Sequence, residues 1–245
     1  MNISAEERAL YYGERLAEVI RCKTVSKKDG FEAAEFLKLR EVIKKLFPLM
    51  TEKAELRILG DDAYLYKIKG RDESRNVMVM SHHDVVDATG DWQEEPFAGV
   101  IRDGKLWGRG TVDTKTPLFA EFSAIEELLG EGFEFPVNTY LYSSHNEEYG
   151  GDGALLALDY FNENNIKFEW IMDEGGAIID PPMAGISKRC AMMAVHEKGR
   201  CTAQLTASSK PGHAGLEGGH KTPVMRMVAF MAETDENPPF IRRLH

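Results

Sequence analysis

The chain has 245 residues, 43% of them hydrophobic and 29% charged, with a formal net charge of −10. That length holds one large or two small domains, and the acidic balance argues against a general nucleic-acid-binding role. Cys22, Cys190 and Cys201 are far apart and odd in number, which favours free thiols in a reducing compartment over a disulfide framework. The N-terminus is too charged for a signal peptide and no apolar run approaches the ~20 residues that span a bilayer. A cytoplasmic protein with no membrane partner is therefore expected.

Ser4 followed by Glu7 has the form of a capping box. Leu10, Leu16, Val19 and Ile20 then fit one side of an amphipathic helix. A second helix is predicted from Phe31 to Phe47, stopping before Pro48. Leu56 to Leu59 and Ala63 to Ile68 read as a hairpin around Gly60-Asp61-Asp62. Gly70 to Asn76 reads as a polar loop leading into Val77 to Ser81, whose continuous apolar run suits a buried parallel strand. Val100-Ile101 and Lys105 to Trp107 flank a tight turn at Arg102-Asp103-Gly104. A helix from Pro117 to Leu129 turns Phe119, Phe122, Ile125 and Leu128 or Leu129 to the core. Val137 to Ser143 is another strand. After the turn at Gly150-Gly151, Asp152 caps a helix to about Asn162, and Phe168 to Met172 makes a third core strand. Gly199 to Ala207 alternates as a strand, Pro211-Gly212-His213 is a turn, Val224 to Ala232 an apolar helix, and Glu233 to His245 reads as loose. A boundary is placed near Glu197, giving domains 1–196 and 197–245.

Alternating strands and helices imply an α/β fold, with a mixed or parallel sheet covered on both faces. Its three apolar strands each end in histidine or acidic residues, and ligands in such folds bind at the carboxyl ends of strands. The first strand ends at His82-His83-Asp84, the second at His145 to Glu148, the third at Asp173-Glu174. Asp113 follows the turn Gly108-Arg109-Gly110. His82 and Asp84, one residue apart at a strand end, point to the same side. Imidazole and carboxylate without cysteine suit a hydrolytic zinc centre with open positions. Each group alone has a plainer reading. His82 and Asp84 could be a satisfied structural pair, Asp113 a helix N-cap, Glu147-Glu148 a solvated turn, and Asp173-Glu174 a turn before glycines. Their joint placement at neighbouring strand ends favours a site.

The motifs HHDVV, W…PF…DGKLWGRGTVDTK, NEE followed by glycines, DEGG and PGHAG stand in that order over roughly residues 75–217. This pattern resembles the two-zinc amidohydrolase and exopeptidase family of glutamate carboxypeptidase, carboxypeptidase S, aminoacylase, acetylornithine deacetylase and carnosine dipeptidase, most closely its dipeptidase and carboxypeptidase branch. The resemblance implies a three-layer catalytic domain with a mixed, largely parallel sheet, followed by the start of a smaller α+β lid. It implies Zn2+, two ions per site, with Co2+ or Mn2+ as substitutes. His82 would ligate one zinc, Asp84 would orient His82, and Asp113 would bridge the two, with a cis peptide bond after it. Glu148 would be a terminal ligand, and Glu174 would ligate the other zinc, with Asp173 as its rival. Glu147 would be the general base, taking a proton from water and passing it to the leaving amine. His213, in the lid, would stabilise the oxyanion, and the lid would form a homodimer. The substrate would be a small peptide or N-acyl amino acid, and no nucleic acid.

Two positions depart from the family pattern: Asp87 stands where proline is usual, and Thr116-Pro117 where glycine often follows the lysine. Family members normally exceed ~350 residues, beyond an ordinary single domain. An N-terminal portion is therefore expected, lacking a last zinc-binding histidine and showing little or no amidase activity. His83 and His145 are read as supporting residues, and His196, His220 and His245 as surface residues. The alternative is a non-catalytic metal-binding fragment or interaction protein on the same fold.

Overall fold

The structure is a computed structural model, and it describes residues 4–175, 178–181, 185–195, 202, 204–208 and 222–237. Helix α1 (Ala5–Ile20) begins at the expected capping box: Glu7 N donates to Ser4 Oγ (3.1 Å) and Ser4 N to the Glu7 carboxylate (2.8 Å). This satisfies two of the amides a helix start leaves unpaired. Ala17, Val19 and Ile20 are buried, but Leu10 is 52% exposed; the first two turns lie outside the packed layer. Short strands β1 (Ser26–Lys27) and β2 (Gly30–Phe31) precede α2 (Ala33–Leu46). Helix α2 stops before Pro48 as expected, and Pro48 then opens a further helix, α3 (Pro48–Lys53). Proline fits there, since a first-turn residue needs no intrahelical N–H bond.

Strands β3 (Glu55–Leu59) and β4 (Ala63–Ile68) form the expected hairpin and lead to β5 (Asp72–His82). Outside this sheet, β6 (Val100–Arg102) and β7 (Lys105–Trp107) pair around a turn with positive φ at Asp103 (53°) and Gly104 (68°), the combination that matches strand twist in a two-residue hairpin. Helix α4 (Lys115–Gly130), β8 (Val137–Ser144), α5 (Gly153–Glu163) and β9 (Ile171–Met172) follow. The main sheet has the order β3-β4-β8-β5-β9. It is mixed: β3/β4 and β4/β8 are antiparallel, β8/β5 and β5/β9 parallel.

Two sequence expectations change here. Part of the polar loop predicted over 70–76 belongs to β5, which starts at Asp72 and carries a register irregularity between Asp72 and Asn76. The third strand is an edge rather than a core strand: β9 has two residues, and Ile171 and Met172 are 52% and 51% exposed. It pairs only with β5 among the described residues, so its apolar character reflects an open edge and not burial.

Period-two alternation sorts the strands into two layers. Tyr64, Tyr66, Ile68, Val79 and Leu141 face a layer built with α1 to α4, where Leu39, Ile43, Phe47, Phe119 and Phe122 pack. Ala63, Leu65, Met78, Tyr140 and Tyr142 face the other way, onto Ala157 and Phe161 of α5. Each fully buried Val, Leu, Ile, Phe or Met among them contributes roughly 1.5–3 kcal/mol. The central strand β8 is buried along its whole length. Asp152 precedes α5 without capping it through its side chain; that carboxylate accepts from Asn146 Nδ2 instead (2.9 Å).

Beyond the sheet, β10 (Ile178–Ile179) pairs with β11 (Cys190–Ala191). The chain divides into two compact units, 1–194 and 195–245. In the second, α6 (Pro223–Glu236) is capped by Thr222 and extends past the predicted Ala232. The strand expected over 199–207 is not found at its described residues, 202 and 204–207, which lie outside any strand; the rest of that stretch and residues 238–245 lie outside the described residues. No described helix is long and apolar enough to cross a membrane.

Candidate metal centre

Parallel pairing makes the site. His82, the last residue of β5, lies opposite Ser144, the last of β8, and β9 joins the same side of the sheet with Met172 opposite Val79. The residues that follow each strand therefore leave the sheet at one edge: His83-Asp84, His145 to Glu148, and Asp173-Glu174.

Asp84 is the fixed point. Its side chain is fully buried and accepts from Ser26 Oγ (2.5 Å), Glu147 N (3.1 Å) and Glu148 N (3.1 Å). The His82 ring faces it through Nδ1, 3.0 Å from the Asp84 carbonyl oxygen and 3.3 Å from its carboxylate. Burial pushes the Asp84 carboxyl up, but the bonds from His82 and Ser26 outweigh it and hold the group below the ordinary carboxylate range. With Nδ1 engaged, the lone pair available to a ligand is on Nε2.

His82 Nε2 points at carboxylates. It lies 3.0 Å from Asp113 Oδ1, 3.5 Å from Glu174 Oε1 and 3.7 Å from Glu147 Oε2. One ligand atom each from His82, Asp113 and Glu174 fall within 4.8 Å of one another. Burial works against a charged imidazole here, yet bonds to Asp84 and Glu174 raise His82 to about 11. So strong a demand for positive charge at one point is what a cation would satisfy. Glu174 is held below its usual range: burial opposes this, and His82 and Thr114 prevail. Its second oxygen, Oε2, is buried and has no hydrogen-bond partner among the described residues. A buried, unpaired carboxylate oxygen is costly unless something binds it. One imidazole, oxygen donors and an orphaned carboxylate oxygen fit a divalent metal of the zinc type.

The peptide bond between Asp113 and Thr114 is cis. Glu147 is raised, first by burial and then by Glu174, Asp84 and Asp113, with His82 opposing. Glu148 is not in the three-residue group; its carboxylate accepts from Val86 N at 3.3 Å. Asp173, the rival to Glu174, is also outside that group; its Oδ1 accepts from Glu174 N (2.8 Å). His213, with His196, His220 and His245, lies outside the described residues. His83 stacks on Tyr64 (4.2 Å between centroids) and meets Ser143 Oγ through Nδ1 (2.9 Å), while His145 packs edge-on to Phe31. Burial lowers both imidazoles, as packing residues require.

Sequence reasoning passed over Ser26, Lys115 and Glu121. Ser26 reaches Asp84 through a long-range pairing, Val25 beside Val85, which no local pattern announces. Lys115 left a signal: a cation in the first turn of a helix opposes the helix dipole, so it needs a partner elsewhere. Glu121, on α4, accepts from Ser81 Oγ at 3.0 Å, beneath the strand end that carries His82.

Residues 78–237 match Peptidase family M20/M25/M40. The chain is 34% identical to probable carboxypeptidase S-like 2 of Dictyostelium discoideum, over 92% of its own length and 45% of that protein. It is 30% identical to the N-fatty-acyl-amino acid synthase/hydrolase PM20D1 of Xenopus tropicalis, over 95% of its length and 46% of that protein. It thus spans about half the length of the curated relatives it matches. Among solved structures, the M20 family metallo-carboxypeptidase Sso-CP2 from Sulfolobus solfataricus superposes with a TM-score of 0.54 at 25% identity, over 73% of this chain and 39% of that one. Human carnosine dipeptidase 1 shares the fold, with a TM-score of 0.57 at 20% identity over 73% and 43% of the two chains. The motifs, the strand-end cluster and the extent of the family match lead to one conclusion: this chain belongs to Peptidase family M20/M25/M40.

Proposed function

We propose that the chain carries the metal-binding half of a zinc-dependent amide hydrolase acting on small peptides or N-acyl amino acids. The observation that carries this reading is the meeting of His82 Nε2, Asp113 and Glu174 within 4.8 Å beside the orphaned Glu174 Oε2. These three residues would hold one zinc ion, and Asp113 with Glu148 would contribute to a second, Glu148 leaving Val86 N to do so. Zinc supplies Lewis acidity, polarising the scissile carbonyl and making water easier to deprotonate.

The remaining work falls to the protein's own groups. Asp84 holds His82 in the tautomer that presents Nε2. Glu147, whose carboxylate lies 3.7 Å from that nitrogen, takes the proton of the attacking water and returns it to the leaving amine. Its upward pKa displacement brings it closer to neutrality, where a general base exchanges protons most effectively. The names of the relatives, a carboxypeptidase and an N-fatty-acyl-amino acid synthase/hydrolase, support an amide with an amino-acid portion as substrate. His213 is proposed as the oxyanion donor and unit 195–245 as a lid and dimerisation region.

The test is calorimetric titration of the chelator-stripped chain with Zn2+, alongside hydrolysis of a panel of dipeptides and N-acyl amino acids. One tight equivalent at least is expected, weakened ten-fold or more in Asp113→Asn and Glu174→Gln, since losing a ligand leaves a site open. Zinc binding no tighter in the parent than in both variants would refute the site.

A further inference from the structure

Residues 22–26 supply no ligand, yet they touch both walls of the metal centre. On the first wall, Val85 N donates to Thr24 O (2.9 Å), Ser26 N to Val85 O (3.2 Å), Thr24 Oγ1 to His83 O (2.5 Å) and Ser26 Oγ to Asp84 (2.5 Å). On the second, Lys115 Nζ donates to Cys22 O (2.6 Å) and Val19 O (3.3 Å). Those carbonyls belong to the end of α1 and the residues just after it, where unpaired carbonyls collect. Lys115 has no exposed surface. Its backbone N bonds Gly110 O (2.9 Å), closing the turn that contains Asp113. Its stem lies directly under Gly110: a β-carbon there would stand 3.1 Å from Lys115 Cδ and 3.0 Å from Val85, at φ +91°.

Asp113 cannot hold its own position. Its side chain is 68% exposed, and His82 is its one side-chain hydrogen-bond partner among the described residues. Its place 3.0 Å from Nε2 must come from the turn that bears it. Lys115 is also an expensive way to fill space. A buried ammonium carries a desolvation penalty, and one at a helix N-terminus opposes the dipole; an apolar side chain of similar length would pack at no such cost. We infer that Lys115 is a positioning residue: anchored on the Val19 and Cys22 carbonyls, it fixes the 110–115 turn against the 22–26 segment and so sets the spacing of Asp113 from His82.

The inference rests on the metal reading above, and the test separates the two. Chelator-stripped parent and Lys115→Met are titrated with Zn2+. Their metal-free thermal midpoints and Co2+ absorption spectra are compared. In Lys115→Met the metal-free midpoint should stay level or rise while Zn2+ affinity falls about ten-fold or more, the usual result of losing a residue that orients a ligand, and the Co2+ bands should shift. Affinity within two-fold of the parent with unchanged bands overturns the inference. So does a midpoint that falls in step with affinity, which marks a merely structural lysine. Gly110→Ala presses on the same stem and serves if Lys115→Met fails to fold: it should weaken Zn2+ binding, and unchanged affinity overturns the inference. A parent that binds no Zn2+ removes the metal reading itself, and the inference with it.

Discussion

Two aspartates face the same imidazole from opposite sides and are held in opposite ways. Asp84 is fully buried and takes bonds from Ser26, two backbone amides and His82. Asp113 is 68% exposed and has His82 as its hydrogen-bond partner. The first is part of the fold and the second is carried by it. The difference teaches how a candidate metal centre is half prebuilt: one side fixes the orientation of the imidazole, and the other carries an exposed carboxylate. It also says which changes should damage stability and which should damage binding alone.

The sharpest way to break the contrast is to remove each carboxylate in turn. Asp84→Ala strands a buried histidine, a hydroxyl and two amides, and should cost about 3–5 kcal/mol, as losing one member of a buried charged network does. In a unit of this size that lowers the thermal midpoint by roughly 10 °C. Asp113→Asn should move the metal-free midpoint by no more than the ~0.5 kcal/mol typical of an exposed site, while removing about half or more of the stabilisation that Zn2+ gives the parent. That gain would be ~2.7 kcal/mol at a free zinc concentration of 100 Kd. Equal midpoints for the two variants without metal would show that Asp84 is no more structural than Asp113.

A smaller effect distinguishes the ground beneath the site from its rim. Burial raises Glu121 to about 8, and the charges of Asp173 and Glu174 add to it, against a hydrogen bond with Ser81. The folded chain therefore keeps this proton where the unfolded chain, titrating near the ordinary carboxylate value of 4.5, has lost it. Over that window the folded state binds more protons, so stability falls as pH rises from about 4.5 to about 8 and is undiminished below it. Glu121→Gln keeps an acceptor for Ser81 Oγ and removes the titration. It should flatten the decline, with a gain much larger at pH 8 than at pH 5, read from urea midpoints with chelator present. An unchanged slope would assign the pH dependence to other groups.

What could be read from the sequence follows the same division. His82, Asp84 and Asp113 were legible because strand-end position and motif context are local, and the α/β alternation was legible because apolar runs of β5 and β8 are. The edge status of β9 was not, since Ile171 and Met172 read as core until the sheet order leaves them at an open side. Nor was the extension of β5 back to Asp72, whose polar residues pair with β8 across an irregular register. Ser26 was silent because it acts on a residue far along the chain, and Lys115 left only the signal of a cation at a helix start, its partners being backbone carbonyls, which have no sequence signature.

The smallest expected effect tests the rim against itself. Glu147 and Glu174 both face His82 Nε2, at 3.7 and 3.5 Å, yet only Glu174 joins the ligand group and only it has a buried oxygen without a partner. Glu147 is 57% exposed at its side chain, as suits a group that must meet water and a leaving amine. Glu147→Gln removes one of several crowded negative charges and keeps the shape. It should change the metal-free midpoint by under ~0.5 kcal/mol and Zn2+ affinity by less than about three-fold, while Glu174→Gln weakens binding ten-fold or more. In any longer form that turns over substrate, Glu147→Gln should abolish turnover with zinc content intact, the signature of a lost base. If both variants lose zinc equally, Glu147 is a ligand, and the base must be sought elsewhere on the rim.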